Sequence, residues 1–169
     1  MDQANVNFAV YEGGTEYLGL AEATLPNAER QTVDMSGAGI GGTFSAPIAG
    51  HYGDMSLTLN WRTPNKQQDK LMEHGPHTIE LRQAIQSRNA TTGALEIIAL
   101  KHVLVVYPKT LSTGKAAPAS TTDTSMEFSV SYHAKFFNGE KVLEIDKFNM
   151  KSEVNGVDEL APIRAALGK

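Results

Sequence analysis

The chain has 169 residues, a length that predicts one domain spanning 1–169. It contains no cysteine, which excludes a disulfide framework, a thiolate zinc site and a cysteine nucleophile. The formal net charge of -4 argues against an outer surface that binds nucleic acid by counterion release. The first residues, MDQANVNF, have no basic start and no apolar run, and no apolar stretch approaches the roughly 18 residues of a membrane helix. We therefore expect no signal peptide and no stable membrane insertion.

The start of the chain alternates as β-strands do. Val6, Phe8 and Val10 alternate with polar or small residues, and Gly13-Gly14 then predicts a turn. Residues 17–20 can return as the second strand of a hairpin, which Pro26 ends because proline cannot donate to a strand ladder.

A glycine-rich segment follows a second alternating stretch, Glu29 to Met35. Four glycines fall within residues 37–42, and glycine loses more backbone entropy on ordering than any other residue. We therefore predict a long hairpin or loop over 34–53.

The middle of the chain predicts one strand and one short helix. Leu57, Leu59 and Trp61 share one face of a strand that Pro64 ends. Asn65 is a good N-cap for a helix over 66–73, whose apolar contacts are Leu71 and Met72.

Two long strands are predicted next, over 77–85 and 94–107. The second is unusual because residues 97–106 are largely apolar on both faces, a pattern typical of a strand that is covered on both sides. Residues 108–124 are rich in Thr, Ser, Ala, Pro, Gly and Lys and predict a flexible surface loop.

The clearest alternation lies in residues 125–137. Its apolar face holds Met126, Phe128, Val130, Tyr132, Ala134 and Phe136, and its polar face holds Glu127, Ser129, Ser131, His133 and Lys135. Asn138-Gly139 is a strong hairpin signal, after which 141–146 returns. The whole pattern predicts a mainly β fold, either a β-barrel or a two-sheet β-sandwich, with one short internal helix and a C-terminal helix.

The residues that carry chemistry in other proteins form no recognisable site here. His74 and His77 are separated by Gly75-Pro76, which excludes a continuous helix between them, and His133 lies on a polar strand face. Glu144 and Asp146 lie about 7 Å apart on one strand, but a polar strand face explains them better than a glycosidase pair does. The chain also lacks dinucleotide, phosphate-loop, GxSxG and HExxH motifs. No catalytic residue, metal ligand or cofactor is predicted.

The C-terminal stretch predicts a strand, a polar turn at Asn155-Gly156 and a short amphipathic helix. Leu160, Ile163 and Leu167 fall on one stripe of that helix, and Asp158 or Glu159 can supply negative charge at its start. Pro162 is tolerated only in the first turn. A helix this short must pack against its own body or against a neighbour to be stable.

The order of several segments resembles the major tail tube proteins of contractile-tailed phages and of R-type pyocins. The segments that carry the resemblance are VNFAVYEGGTEYLGLAEATLP, SGAGIGGTFSAPIAGHYGDMSLTLNW and SVSYHAKFFNGEKVLEIDKFNMKSEVNGVDELAPIRAALG. The most specific pattern is Asn155, Gly156, Val157, Asp158, Leu160, Arg164, Leu167 and Gly168. Pro162 departs from the pattern of the family helix, and 108–124 carries no family signal.

The resemblance implies a tail-tube fold and a structural role, not an enzymatic one. Subunits of that family close into hexameric rings, which stack into a hollow tube inside a contractile sheath. Sheath contraction drives the tube through the host envelope, and phage DNA passes along the bore without sequence-specific binding. The implied partners are further copies of the chain, the sheath protein, baseplate and terminator proteins, and a tape measure protein in the lumen. The implied location is the virion, and the host cytoplasm during assembly.

Under this hypothesis two sets of residues are candidates for surfaces of the tube. Contacts between subunits or rings are expected at Met35, Gly37, Gly39, Ile40, Pro47, Ile48, Ile98, Leu100, Leu160, Ile163 and Leu167. The lumen is expected to be lined by Arg30, Thr32, Asp34, Glu127, Ser129 and Ser131.

Two alternatives stay open at this point. The first is the tube of a genome-free contractile particle, either a bacteriocin or a secretion system, for which the subunit chemistry would be almost the same. The second is a monomeric β-sandwich binding module, which would need a cleft with clustered aromatic residues or carboxylates.

Overall fold

The computed structural model describes the backbone of residues 2–169 and the side chains from Ala4 onward. Within this range the chain forms twelve strands and two short helices. The strands are β1 Asp2–Glu12, β2 Glu16–Tyr17, β3 Glu22–Thr24, β4 Arg30–Met35, β5 Phe44–Tyr52, β6 Ser56–Trp61, β7 His77–Arg88, β8 Leu95–Ser112, β9 Thr124–Phe137, β10 Glu140–Asp146, β11 Lys151–Val154 and β12 Val157–Asp158. The helices are α1 Lys66–Leu71 and α2 Ala161–Ala166. The predicted mainly β class with an internal and a C-terminal helix is confirmed.

Ten of these strands form one antiparallel sheet that branches. Its main path runs β12-β11-β10-β9-β8-β7-β1-β2, while β6 pairs with the first half of β9 and carries β3 on its other edge. Strands β4 and β5 form a separate two-stranded sheet. The main sheet is not closed into a barrel, so of the predicted architectures the barrel is wrong.

The two branches of the sheet enclose one hydrophobic core. Leu57, Leu59 and Trp61 of β6 are buried, as their alternation predicts, and they join a cluster with Ile79 of β7 and Leu104 of β8. The Trp61 indole donates a hydrogen bond of 3.0 Å to the Leu18 carbonyl, which satisfies the polar end of this large side chain.

A bulge in β9 changes which of its side chains face the core. Val130 pairs with Val106 and Tyr132 pairs with Val105, which leaves Ser131 as the additional residue. Because one extra residue reverses the alternation, His133 points into the core and is only 5% exposed. The prediction that His133 lies on an exposed polar face is therefore wrong. Ser131 is buried as well.

Local turn and capping signals are read correctly from the sequence. Asn138 and Gly139 both have positive φ, 49° and 82°, as the tight hairpin turn between β9 and β10 requires. The Asn65 side chain accepts a hydrogen bond from the Gln68 amide and caps α1. Leu71 of this helix is buried, but Met72 is largely exposed, so the predicted packing of Met72 is wrong.

The long strand β8 extends further than its composition indicates. It pairs with β9 through Leu111 and Ser112, so the segment without strand structure is 113–123 and not 108–124. Its flexibility stays a prediction.

The C-terminus contains an additional strand, β11, which the sequence pattern did not reveal. Asp146 ends β10 by accepting hydrogen bonds from the amides of Phe148 and Asn149, and the chain then returns as β11. Helix α2 starts at Ala161 with Pro162 in its first turn, as predicted, so the acidic residues Asp158 and Glu159 precede the helix. No helix in the described range is both long enough and apolar enough to span a membrane.

Candidate interface surfaces

The two-stranded sheet forms a hairpin, hereafter the arm, of residues 30–52. Its strands pair from Met35–Phe44 at the tip to Arg30–Tyr52 at the base. The register is interrupted above the base, because Thr32 pairs with Pro47 and residues 48–51 have no partner in β4. The arm thus begins four residues before the segment 34–53 that was predicted as a long hairpin or loop, and it ends one residue before the end of that segment.

The arm carries apolar side chains that its own subunit does not cover. Their exposed fractions lie between 38% and 57%, although side chains of this type are usually buried in a folded domain. They are Val33, Met35, Ile40, Phe44 and Ile48. Of the predicted contact residues on the arm, Gly37, Gly39 and Pro47 are also exposed. Apolar surface of this extent is typical of an interaction site.

A hydrogen-bond network around Glu159 connects the base of the arm to the C-terminal segment. Arg30 Nη1 lies 2.9 Å from both carboxylate oxygens of Glu159, and Ser152 Oγ donates to the same carboxylate at 2.7 Å. The Tyr52 hydroxyl lies 2.9 Å from Ser152 Oγ and 3.3 Å from Glu159 Oε1. Burial alone would raise the pKa of Glu159, but the hydrogen bonds from Arg30, Ser152 and Tyr52 lower it. The hydrogen bond to Glu159 raises the pKa of Arg30.

Leu160 packs against the arm beside this network. Its side chain is 5% exposed and lies over Gly50, where a Cβ would overlap its carbon atoms. Gly50 also has a φ of 67°, a backbone conformation that glycine adopts at little cost. A cavity of about 230 Å³ lies next to this contact, between the base of the arm, the turn from β10 to β11, and Ile163 of α2.

The predicted apolar stripe of α2 is divided between two environments. Leu160 is buried, Ile163 is half-buried and Leu167 is 59% exposed. The stripe therefore contacts its own subunit through Leu160 at its start, and Leu167 at its end is exposed to solvent.

The far end of β8 presents a second uncovered apolar surface. Leu95 and Ile97 are more than half exposed, and the predicted contact residues Ile98 and Leu100 are half-buried. Among the residues whose side chains are described, none covers the second apolar face at this end of the strand enough to bury Leu95 or Ile97.

The sheet edges at both ends of the main path are open. Beyond its pairing with β7, β1 pairs with β2 only at Tyr11 and Glu12, so most of its outer edge has no strand partner in the described chain. The opposite edge is β12, a two-residue strand whose Val157 is 70% exposed. Open edges tend to pair with other chains.

The residues predicted to line a lumen fall into separate groups. Thr32 and Asp34 lie exposed on the arm, whereas Arg30 is held by Glu159 and separated from them by the register interruption. Glu127 and Ser129 lie on the first half of β9, and Ser131 is buried in the bulge. Their role in a lumen stays a prediction.

A buried histidine pair was missed by the sequence reading. His102 Nδ1 lies 2.9 Å from His133 Nε2, and both residues are 5% exposed. Burial and the charge of Lys135 lower both pKa values to about 4, and the neighbouring His133 adds to the effect on His102. No spacing in the sequence indicates this contact, because it depends on the bulge at Ser131.

Glu144 lies in an ion-pair network with Lys141 and Lys151. Burial alone would raise its pKa, but hydrogen bonds from Lys141, Lys151 and Tyr132 lower it to about 2. A carboxylate held this way is ionised at neutral pH and does not serve as a general acid there. Among the described residues, no group of three or more His, Cys, Asp or Glu side chains could hold a metal ion.

Comparison with known families decides the class of this protein. The family model of phage tail tube protein FII matches residues 4–168. The chain belongs to this family. It is a structural tail tube protein, as the sequence resemblance implies.

A relative and several solved structures agree with this membership. The chain is 29% identical over 164 residues to the tail tube protein of Escherichia phage P2, covering 94% of this chain and 93% of that relative. Solved structures share the fold at lower identity. A chain of the extended sheath-tube complex of PVC, an extracellular contractile injection system, has a TM-score of 0.55 at 13% identity and covers 77% of this chain and 88% of that chain. A chain of the tube terminating cap of the anti-feeding prophage has a TM-score of 0.57 at 14% identity, with 79% and 92% covered.

Proposed function

We propose that this tail tube protein closes into hexameric rings, which stack into a hollow tube inside a contractile sheath. Sheath contraction would drive the rigid tube through the host envelope, and phage DNA would pass along the bore. The role is mechanical, and no step requires catalysis by the subunit. Its place is the virion, after assembly in the host cytoplasm.

The observation that carries the proposal is that a member of this family leaves open edges at both ends of the main path of its sheet. A ring closes head to tail only when each subunit presents two different complementary surfaces. The outer edge of β1 and the short edge at β12 are two such surfaces. Pairing between neighbours would also remove the aggregation hazard of an open sheet edge.

The exposed apolar residues support stacking as well as ring closure. The arm and the far end of β8 both carry uncovered apolar side chains, among them Phe44 and Ile97. Rings that stack need contacts along the tube axis in addition to those around the ring. We propose that each of these two surfaces contacts another copy of the chain, either in the same ring or in the next ring.

The partners follow from the same assembly. Chains of similar fold occur in a sheath-tube complex, in a sheath and tube terminator, and in a baseplate of contractile injection systems. We propose the corresponding contacts here with sheath, terminator and baseplate proteins, and with a tape measure protein inside the lumen. DNA would contact the lumen wall without sequence specificity.

A genome-free contractile particle is the second candidate function. The solved structures of similar fold include chains of PVC and of the anti-feeding prophage, which favours this alternative for the particle while leaving the subunit's role unchanged. The genes that surround this one would distinguish the two, because only a phage needs capsid and DNA-packaging genes.

Negative-stain microscopy of the purified protein at increasing concentration tests the proposal. We expect rings or tubes with six-fold symmetry. Rings of another symmetry, or single subunits both alone and after addition of a preformed baseplate, would contradict it.

A further inference from the structure

We propose that Glu159 fixes the orientation of the arm on the body of the subunit, and is thereby a positioning residue for the contacts of the arm with a second copy of this chain. The inference deepens the proposed function and rests on it, because only assembly gives the arm a partner. It assigns this role to a residue of the C-terminal segment, outside the arm itself.

Away from its base, where Tyr52 packs against the core and Leu160 packs over Gly50, the arm has little attachment to its subunit. Its two strands pair extensively with each other, and in the described chain neither makes more than slight contact with another strand. An isolated two-stranded hairpin is marginally stable in water. Contacts at its base must therefore determine where it points.

Glu159 contacts both strands of the arm at that base. Arg30 is the first residue of β4 and Tyr52 is the last residue of β5, and the two are direct partners in the hairpin. The Glu159 carboxylate accepts hydrogen bonds from both, and the Arg30 guanidinium lies 5.5 Å from the centre of the Tyr52 ring. One side chain thus holds the two ends of the hairpin together and ties them to the C-terminal segment.

The body side of this contact is rigid. Ser152, which donates to Glu159, is fully buried in β11 and pairs with Ile145 of β10. Leu160, the next residue, makes a second contact with the arm by packing over Gly50. Glu159 is therefore held in place by its neighbours, and its hydrogen bonds to Arg30 and Tyr52 keep the arm in one orientation.

Because the pair of Arg30 and Glu159 is partly exposed, its effect on the position of the arm can be distinguished from its effect on the stability of the whole domain. The side chains of Arg30 and Glu159 are 37% and 27% exposed, and such partly solvated pairs contribute little to the folding of a domain. Removing the carboxylate should therefore free the arm and leave the main sheet folded. A residue that only stabilised the fold would show the opposite pattern.

Distance measurements between spin labels test this directly, because the chain has no cysteine that would interfere. One label is attached through Ala38→Cys at the exposed end of the arm and the other through Ser112→Cys, an exposed position on β8. We expect one narrow distance distribution, whose width at least doubles with Glu159→Ala. Arg30→Met, which removes the partner on the arm, should broaden it in the same way.

A control is available in the pair of Lys70 and Glu16, which lie 3.0 Å apart on other elements than the arm and are more exposed than Arg30 and Glu159. Glu16→Ala should leave the distribution unchanged. In unlabelled protein, Glu159→Ala should lower the yield of tubes at least ten-fold, and Glu16→Ala should not. Circular dichroism and urea unfolding show whether each variant is folded. If Glu159→Ala is unfolded, Arg30→Met tests the inference in its place.

Two results would overturn the inference. An unchanged distance distribution in folded Glu159→Ala or Arg30→Met would show that this residue does not position the arm. A broadened distribution with a normal yield of tubes would show that the arm needs no positioning for assembly. If the unsubstituted chain forms no tubes, the proposed function fails, while the distance measurement still tests the hold of Glu159 on the arm.

Discussion

Leu160 of the C-terminal segment occupies the space that a side chain at Gly50 of the arm would fill. The two residues are far apart in the sequence, and the contact requires both a large residue at one position and none at the other. Together with the Glu159 network, it joins the arm to the C-terminal segment.

Gly50→Ala should destabilise the protein by about 1–3 kcal/mol. The methyl group would overlap Leu160, and an L-residue is strained at the φ of 67° found there. Gly41→Ala is the matched control, because Gly41 lies in the same hairpin with no close neighbour and no positive φ. Urea unfolding of both variants measures the difference, and equal stability would contradict the contact.

Leu160 and Leu167 should behave differently although both lie on the predicted stripe. Leu160→Ala removes a buried side chain and should cost about 2–5 kcal/mol, whereas Leu167→Ala removes one that is 59% exposed and should change the stability by less than about 0.5 kcal/mol. The double variant Gly50→Ala with Leu160→Ala should be more stable than the sum of the single effects predicts. Thermal and urea unfolding check this, and equal effects of Leu160→Ala and Leu167→Ala would refute the divided stripe.

The histidine pair predicts that the protein loses stability in mild acid. The pKa of His102 and of His133 is about 6.5 in the unfolded chain and about 4 in the folded protein. The contribution of the neutral histidines to the free energy of unfolding is therefore fully present above pH 6.5. It falls as the pH decreases toward 4, by up to about 3 kcal/mol for each histidine.

Replacing both histidines by glutamine should flatten this dependence. Between pH 6.5 and 5 the carboxylates of ordinary pKa stay ionised, so this window isolates the histidine effect. Urea unfolding at several pH values provides the measurement. A wild-type stability that does not change across the window would show that the pair is not buried and neutral.

Glu144 affects the pH dependence of the free energy of unfolding in a lower pH range than the two histidines do. Its pKa of about 2, compared with an ordinary 4.5, means that its stabilising contribution is present above pH 4.5 and is lost as the pH falls toward 2. Glu144→Gln should cost about 1–3 kcal/mol at pH 7, because Lys141 and Lys151 lose their charged acceptor. NMR titration of the carboxyl carbon measures the pKa directly, and an ordinary value would rule out the network.

Much of the fold could be predicted because its signals are local. The alternation of Leu57, Leu59 and Trp61, the turn at Asn138-Gly139 and the cap at Asn65 each depend on neighbouring residues, and the structure contains all three. The contact between Arg30 and Glu159 joins residues 129 positions apart, and no local pattern reports such a pairing.

The errors of prediction have physical causes. One additional residue at Ser131 reverses the faces of β9, and the sequence reading assumed an uninterrupted alternation that put His133 outside. Composition suggested a loop from Pro108, but pairing with β9 extends β8 to Ser112. The helical stripe was identified correctly, yet only tertiary packing determines that Leu160 is buried and Leu167 is not.

The central claim is that this subunit becomes complete only beside further copies of itself. Cryo-EM reconstruction of the tubes formed by the purified protein tests it most directly. We predict six-fold rings in which the arm of one subunit, including Met35 and Phe44, is buried against another copy and the open edges of the main sheet are covered. A tube whose arms stay exposed and whose sheet edges stay unpaired would contradict the account.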